Sequence, residues 1–94
     1  MKLLMIIVDS SCKEELEVLL NRHEAEGYTE IPNAHGVGTT GVRMGSSAFP
    51  KTSSIIFTVL SDDQIKAVRS DIDAYCDACG KNMKMIVWGV EEIV

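Results

Sequence analysis

Blocks of apolar residues along the chain have the length and spacing of alternating strands and helices. The first block, Lys2–Val8 (KLLMIIV), is short and uninterrupted and ends at Asp9, which predicts a buried strand. A capping-box pattern, Ser11-x-x-Glu14, predicts the start of a helix, and Gly27 is placed to end it. One face of this helix is predicted to carry Cys12, Leu16, Leu19, Leu20 and His23.

Two more strands and a second helix are predicted after the first helix. Tyr28–Asn33 predicts a second strand, and Pro32 places it at a sheet edge because proline cannot donate a ladder hydrogen bond. Ser54–Leu60, rich in branched and aromatic residues, predicts a third strand. A second capping box, Ser61-x-x-Gln64, then begins a helix whose apolar face is predicted to consist of Ile65, Val68, Ile72, Tyr75, Cys76 and Cys79, with Gly80 at its end.

A last strand at Met83–Val90 completes the order strand, helix, strand, strand, helix, strand. Two right-handed strand–helix–strand crossovers in this order predict a fold of the α+β class. The expected architecture is a ferredoxin-like βαββαβ sandwich, with two helices on one face of a four-stranded antiparallel sheet. Residues 1–94 are predicted to form a single domain, with a loop at residues 36–50 between the second and third strands.

The first and third predicted strands are apolar on both of their faces. A strand with one solvated face should alternate apolar and polar residues, and these strands do not. Two helices can cover only one face of the sheet, so the simplest cover for the other face is a second copy of the chain. We therefore predict an oligomer packed sheet against sheet. The two apolar sets are Leu4, Ile6 and Val8 with Leu3, Met5 and Ile7, and Ile55, Phe57 and Val59 with Ile56 and Leu60.

Charge and composition narrow the function classes. A formal net charge of -5 argues against nucleic-acid binding, which favours a basic face. No apolar run approaches the roughly 20 residues of a membrane span, and none resembles the core of a signal peptide. Three cysteines, an odd number, do not suggest a secreted disulfide framework. A cytoplasmic, reduced protein is expected.

The stretch HGVGTTGVRMG, residues 35–45, holds four of the seven glycines. Its Gly36-x-Gly38-x-x-Gly41 spacing formally matches a dinucleotide fingerprint, but that fingerprint requires a following helix and here a strand follows. A Walker loop is excluded because Val42 stands where lysine is required. The remaining possibilities are an anion-binding nest of backbone N–H groups beside Arg43, a partner-binding loop, or a simple connector.

The predicted topology brings this stretch and the cysteines to one end of the molecule. The second strand and the second helix both end there, so the glycine stretch, Arg43 and the Cys79–Asn82 turn are expected to meet. His35 is a candidate for a functional histidine, with a charge that can change near neutral pH. The serine- and threonine-rich continuation of the loop favours mobility, and Phe49 at its tip is expected either to meet a partner or to pack on the sheet.

The element order and three segments resemble the PII-like signalling proteins. These segments are MKLLMIIV at residues 1–8, KEELEVLLNRHEAEGYTEI at residues 13–31, which runs on into GVG, and MKMIVWGVEE at residues 83–92. The chain looks like a compact member of the nitrogen-regulatory PII superfamily, to which the CutA-type proteins also belong. The resemblance implies a homotrimer with sheets facing inward and small-molecule effectors, often adenine nucleotides, in the clefts between subunits. It also implies a long loop that contacts a regulated enzyme or transporter.

This resemblance assigns roles to individual positions. Gly36 and Gly38 match the glycines where the family's loop leaves its strand, and Thr39 stands where many members have a glutamine that helps to hold ligand. Cys79–Asn82 is a shortened form of the family's second phosphate loop. The expected contacts with an adenine nucleotide or another small anion come from His35, Gly36, Gly38, Thr39, Arg43 and Lys81, and the expected partner contacts come from Met44 and Phe49.

Cysteines and histidines leave a second hypothesis open. Cys76-x-x-Cys79 with Cys12 could bind a thiophilic metal such as copper or zinc, as a CutA-like module. Both cysteines of the pair also fall on the apolar stripe, where free cysteine packs as a small hydrophobe. His23 completes the stripe of the first helix and is expected to be half-buried and hydrogen-bonded. No nucleophile has an evident base, so an enzyme is not predicted.

Overall fold

The computed structural model describes residues 1–23, 27–38, 41–75 and 83–93. Strand β1 spans Lys2–Asp9 and leads through a 3-10 turn, Ser10–Cys12, into helix α1, Lys13–Arg22. The second half of the chain contains helix α2, Asp62–Tyr75. The remaining strands are β2, Thr29–Ala34; β3, Gly36–Gly38; β4, Gly41–Arg43; β5, Ser53–Leu60; and β6, Met83–Gly89.

The main sheet has four antiparallel strands in the order β2-β5-β1-β6. This order and the two helices confirm the predicted ferredoxin-type α+β fold. Strand β2 lies at an edge, as Pro32 predicted. Its pairing with β5 shifts register between Ile31 and Ala34, where Asn33 adopts a positive φ of 56°.

The core lies between the sheet and the helices. Each central strand contributes the side chains of only one of its two faces to this core. On β1, Leu4, Ile6 and Val8 are buried, and they pack with the buried face of α1. The predicted stripe of α1 is confirmed at its first four positions. Among the described residues, the buried cluster consists of Leu4, Ile6, Val8, Cys12, Leu16, Leu19, Leu20, Ile56, Leu60, Val68 and Ile72.

The two predicted capping boxes have different outcomes. At α2 the box forms reciprocally: the Ser61 N–H donates to Gln64 Oε1 at 2.9 Å, and the Gln64 N–H donates to Ser61 Oγ at 3.2 Å. At α1 the prediction is wrong, because a 3-10 turn precedes the helix and the helix N-cap is Cys12, without a side-chain cap bond. Asp9 caps the 3-10 turn instead by accepting from Ser11.

His23 joins the two helices at the opposite end of the sheet from the glycine stretch. Its Nε2 contacts Asp71 Oδ2 of α2, and both side chains are largely buried. Gln64 Nε2 also donates to the His23 carbonyl at 3.3 Å. The prediction of a half-buried, hydrogen-bonded histidine is confirmed, and its role is to hold α1 against α2.

The second face of the sheet, which we call the open face, is apolar, and none of the described helices packs on it. Cross-strand pairs place Met5 beside Phe57 and Ile86, and Leu3 beside Val59 and Trp88. Trp88 is 41% exposed and Ile31 is 48% exposed. The two-sided strands expected from the sequence are therefore present. The open face consists of Leu3, Met5, Ile7, Ile31, Ile55, Phe57, Val59, Ile86 and Trp88, with Thr29, Ser53 and Lys84 among them.

No helix in the described parts of the chain is long and apolar enough to cross a membrane.

Candidate functional site

The glycine stretch forms a short two-stranded hairpin at one end of the molecule. Strands β3 and β4 pair Gly36 with Arg43, Val37 with Val42 and Gly38 with Gly41. Val37 is 72% exposed, and a Cβ placed on Gly36 or Gly38 would meet no atom within 4 Å. The backbone of this hairpin is therefore accessible to a ligand or a partner.

Arg43 anchors the hairpin to the end of strand β1. Its Nε donates to Asp9 Oδ2 at 3.1 Å, and each residue is only 7% exposed. A buried ion pair loses much of the solvation that both charges have in water, so each partner depends on the other. The guanidinium expected to face a ligand is thus engaged by a carboxylate of the protein itself.

Asp9 contacts three parts of the chain at once. Its Oδ1 accepts from the Ser11 N–H at 3.0 Å and from Ser11 Oγ at 2.7 Å, while its Oδ2 accepts from Arg43. Burial, the largest single influence, raises the pKa of Asp9, but the hydrogen bonds from Ser11 and Arg43 together outweigh it. The net result is a pKa below the usual value, so the carboxylate stays charged at neutral pH.

Residues 44–52 fold back on themselves after the hairpin. The Met44 and Ser46 N–H groups donate to the Phe49 carbonyl at 3.3 and 3.0 Å, and the Gly45 N–H donates to the Lys51 carbonyl at 3.2 Å. The Ser10 N–H donates to the Thr52 carbonyl at 3.1 Å, which ties the segment to the 3-10 turn. These bonds give the segment a hydrogen-bonded turn conformation.

Two apolar side chains of this segment face solvent. Phe49 is 49% exposed and Met44 is 37% exposed. Of the two placements expected for Phe49, the structure therefore shows the exposed one.

His35 lies at the base of the hairpin, immediately before β3. A Cβ added to Gly45 would sit 3.1 Å from His35 Nε2 and 3.2 Å from Thr52 Cγ2, so these side chains pack closely against the Gly45 backbone. Gly45 has a φ of 62°, in the left-handed region that favours glycine.

The structure brings together four of the predicted ligand contacts, namely His35, Gly36, Gly38 and Arg43, on or beside the hairpin. Thr39 and Lys81 lie outside the described residues. Sequence reasoning missed Asp9 and Ser11 as members of this cluster. A signal is present in the sequence, since aspartate is a preferred capping residue and Asp9 stands two residues before Ser11, but the sequence pattern predicts Asp9 as the end of a strand and Ser11 as the start of a capping box.

Cys12 is disulfide-bonded, which corrects the expectation of fully reduced cysteines. A disulfide sulfur is not a thiolate, so Cys12 is not a metal ligand in this form. Cys76 and Cys79, the other members of the predicted metal set, lie outside the described residues. Within the described ranges, no group of three or more histidine, cysteine, aspartate or glutamate side chains is placed to hold a metal ion.

A second charged cluster joins α1 to the edge strand β2. Lys13 Nζ lies 3.2 Å from Glu30 Oε1. A side-chain hydrogen bond with Glu30 raises the pKa of Glu17, and the same bond, together with the one from Lys13, lowers the pKa of Glu30. This cluster joins the start of α1 to β2 and is separate from the contact between Arg43 and Asp9.

Comparison of the sequence with models of known protein families identifies the family of the chain. The family model described as nitrogen regulatory protein P-II matches residues 1–94. The chain belongs to this family, whose members are signalling regulators. No curated protein sequence gives a significant match.

Solved structures support the same fold. CPII, a nitrogen regulatory PII-like protein from Thiomonas intermedia K12, was crystallised with ADP, AMP and bicarbonate, and that structure superposes with a TM-score of 0.75 at 22% identity over 92% of this chain and 86% of CPII. CPII bound to ADP and bicarbonate gives 0.77 at 23% identity, over 93% and 82%. A protein of Thermus thermophilus described as a PII-like signaling protein gives 0.67 at 18% identity, over 93% and 82%.

Asp9→Asn should destabilise the protein in a pH-dependent way. At about pH 7 we expect the free energy of unfolding to fall by about 3 kcal/mol, because the buried Arg43 loses its ion pair with the Asp9 carboxylate. The folded-state pKa of Asp9 lies below its ordinary value of 3.8. The contribution of the carboxylate is therefore complete above about pH 4 and is lost as the pH falls through the folded-state pKa.

Urea unfolding of wild type and Asp9→Asn, from about pH 7 to about pH 2.5 at one protein concentration, measures this effect. The difference between the two proteins should be constant down to about pH 4 and then shrink. A difference that stays constant at the lowest pH would contradict the assignment of the lowered pKa to Asp9.

Gly45→Ala should destabilise the loop by about 1–2 kcal/mol, since alanine is strained at positive φ and its Cβ would crowd His35 and Thr52. Gly38→Ala is the matched control, because its φ is not in the left-handed region and its Cβ would meet open space. Thermal denaturation of both variants measures the difference. Equal melting temperatures would show that the backbone at Gly45 is not constrained.

Proposed function

We propose that this protein is a PII-like signalling regulator. It acts as a homotrimer that binds a small anionic ligand, such as an adenine nucleotide, in the clefts between subunits, and it contacts a regulated enzyme or transporter through residues 36–50. Membership of the P-II family over residues 1–94 is the observation that carries this proposal. The crystals of CPII with ADP, AMP and bicarbonate support the ligand class.

The open face supports assembly. It presents nine apolar side chains of β1, β2, β5 and β6 on the side of the sheet away from the helices. Burying these side chains against copies of the chain removes apolar surface from water, which is the main driving force of association. Three sheets facing inward would also form the clefts in which the hairpins of neighbouring subunits meet ligand.

The hairpin supports anion binding. Its backbone at Gly36 and Gly38 has open space around it, and His35 and Arg43 lie beside it. Backbone amides in glycine-rich turns are effective anion donors because no side chain obstructs the approach. Lys81 is the second cation expected to reach the ligand, from the loop before β6.

The exposed Met44 and Phe49 support a role for the loop in partner contact. Both side chains are apolar, project from an ordered turn and lie next in sequence to the ligand-binding hairpin. A change in the hairpin on ligand binding would therefore reach the partner surface directly. We place this non-enzymatic regulator in the cytoplasm.

Light scattering coupled to size exclusion should give the mass of a trimer, about three times the chain mass of 10.3 kDa. Phe57→Asp, on the open face, should give the single-chain mass, because three carboxylates would be buried together. Val18→Asp, on the exposed side of α1, should leave the trimer intact. A wild-type protein that runs as a single chain would contradict the proposal.

Ligand binding should raise thermal stability. Screening ADP, AMP, ATP and bicarbonate should identify at least one ligand that adds about 2.7 kcal/mol at 100 times its Kd. Arg43→Ala and Lys81→Ala should each reduce this gain, while Lys66→Ala, an exposed lysine of α2, should not. A gain that survives both substitutions would show that the site lies elsewhere.

A further inference from the structure

We propose that the Asp9 carboxylate is an internal counter-anion for Arg43, and that an oxyanion of the ligand displaces it when the ligand binds beside the hairpin. This inference rests on the proposed function, since it requires an anionic ligand at the hairpin. It assigns to Asp9 a role in regulating ligand affinity.

The burial of the pair is the first argument. Asp9 and Arg43 are both 7% exposed, and their contact joins Arg43 Nε to Asp9 Oδ2 at 3.1 Å. Buried ion pairs contribute little net stability compared with apolar residues of the same size, because both charges are desolvated. A contribution to stability therefore explains this pair poorly. Both charges are explained if the Asp9 carboxylate holds the Arg43 guanidinium in place until an oxyanion of the ligand replaces it.

The position of Arg43 is the second argument. It ends β4 directly opposite Gly36, and the backbone of Gly36, Gly38 and Gly41 is unobstructed within 4 Å of a notional Cβ. An oxyanion approaching this glycine backbone would be within reach of the Arg43 side chain after a change of rotamer. Guanidinium groups bind carboxylates, bicarbonate and phosphates through the same paired N–H geometry.

The surroundings of Asp9 make the exchange feasible. When Arg43 leaves, Asp9 Oδ1 keeps the hydrogen bonds from the Ser11 N–H and Ser11 Oγ. Ser11 itself is exposed, so these two hydrogen bonds lie next to solvent. The carboxylate is therefore not left buried without partners, which would otherwise oppose the exchange.

The exchange would also transmit a signal. The contact between Arg43 and Asp9 ties β4 to the end of β1, and residues 44–52 follow Arg43 directly. Moving Arg43 from Asp9 to the ligand releases this tie at the base of the segment that carries Met44 and Phe49. Ligand occupancy would thereby alter the proposed partner surface.

Calorimetric titration of Asp9→Asn with ADP, AMP and bicarbonate, singly and in pairs, tests the proposal. The asparagine oxygen can still accept from Ser11, but its amide cannot neutralise Arg43. Removing the internal competitor should tighten binding about fivefold or more. A purely structural role for Asp9 predicts weaker binding, so unchanged or weaker binding would overturn the proposal. Asp62→Asn removes the same charge at the far end of the sheet and should leave affinity unchanged.

Nuclear magnetic resonance of the wild-type protein gives an answer even if Asp9→Asn fails to fold. The Arg43 Nε–H signal can be assigned by its loss in Arg43→Lys. Its chemical shift should change when the protein is saturated with a ligand that calorimetry shows to bind. A signal unmoved at saturation would overturn the exchange while leaving the proposed function intact. Failure of every ligand to bind wild type would instead refute the proposed function, and the exchange with it.

Discussion

The hydrophobicity of both faces of strands β1 and β5 is the constraint on which the rest of the structure depends. One set of side chains, which includes Leu4, Ile6 and Ile56, forms the core with the helices, and the alternate set forms the open face. A sheet covered by helices on one side can form a hydrophobic core, but its other side leaves an apolar surface exposed to water. In the proposed trimer, covering the open face would create clefts between chains, and the hairpin lies near the ends of the same two strands.

Much of the fold could be predicted because it depends on local patterns. The observed ends of the four long strands differ from the predicted ends by at most one residue, since apolar runs and turn residues mark them clearly. The start of α1 was predicted wrongly because two capping residues competed. Ser11 matched a capping box, but Asp9 captured the Ser11 N–H and hydroxyl and tightened the first turn.

The candidate site was only partly predictable because its key contact is not local. Arg43 was identified from its place among glycines, but its partner Asp9 lies 34 residues away in the sequence. The two side chains meet only because the hairpin returns to the end of β1, and the pattern of apolar and polar residues does not predict this course of the chain. The turn conformation of residues 44–52 could not be predicted for a similar reason, since it comes from backbone hydrogen bonds such as that from Ser46 to Phe49 and not from a hydrophobic pattern.

The irregularity in strand β2 has a consequence for the protein's behaviour at high concentration. At Pro32 and Asn33 the outer edge of the sheet lacks one N–H donor and turns out of register. A strand from another molecule could therefore not form a continuous ladder of hydrogen bonds along this edge. The two residues that interrupt the register of β2 therefore disfavour the addition of strands from other molecules at this edge.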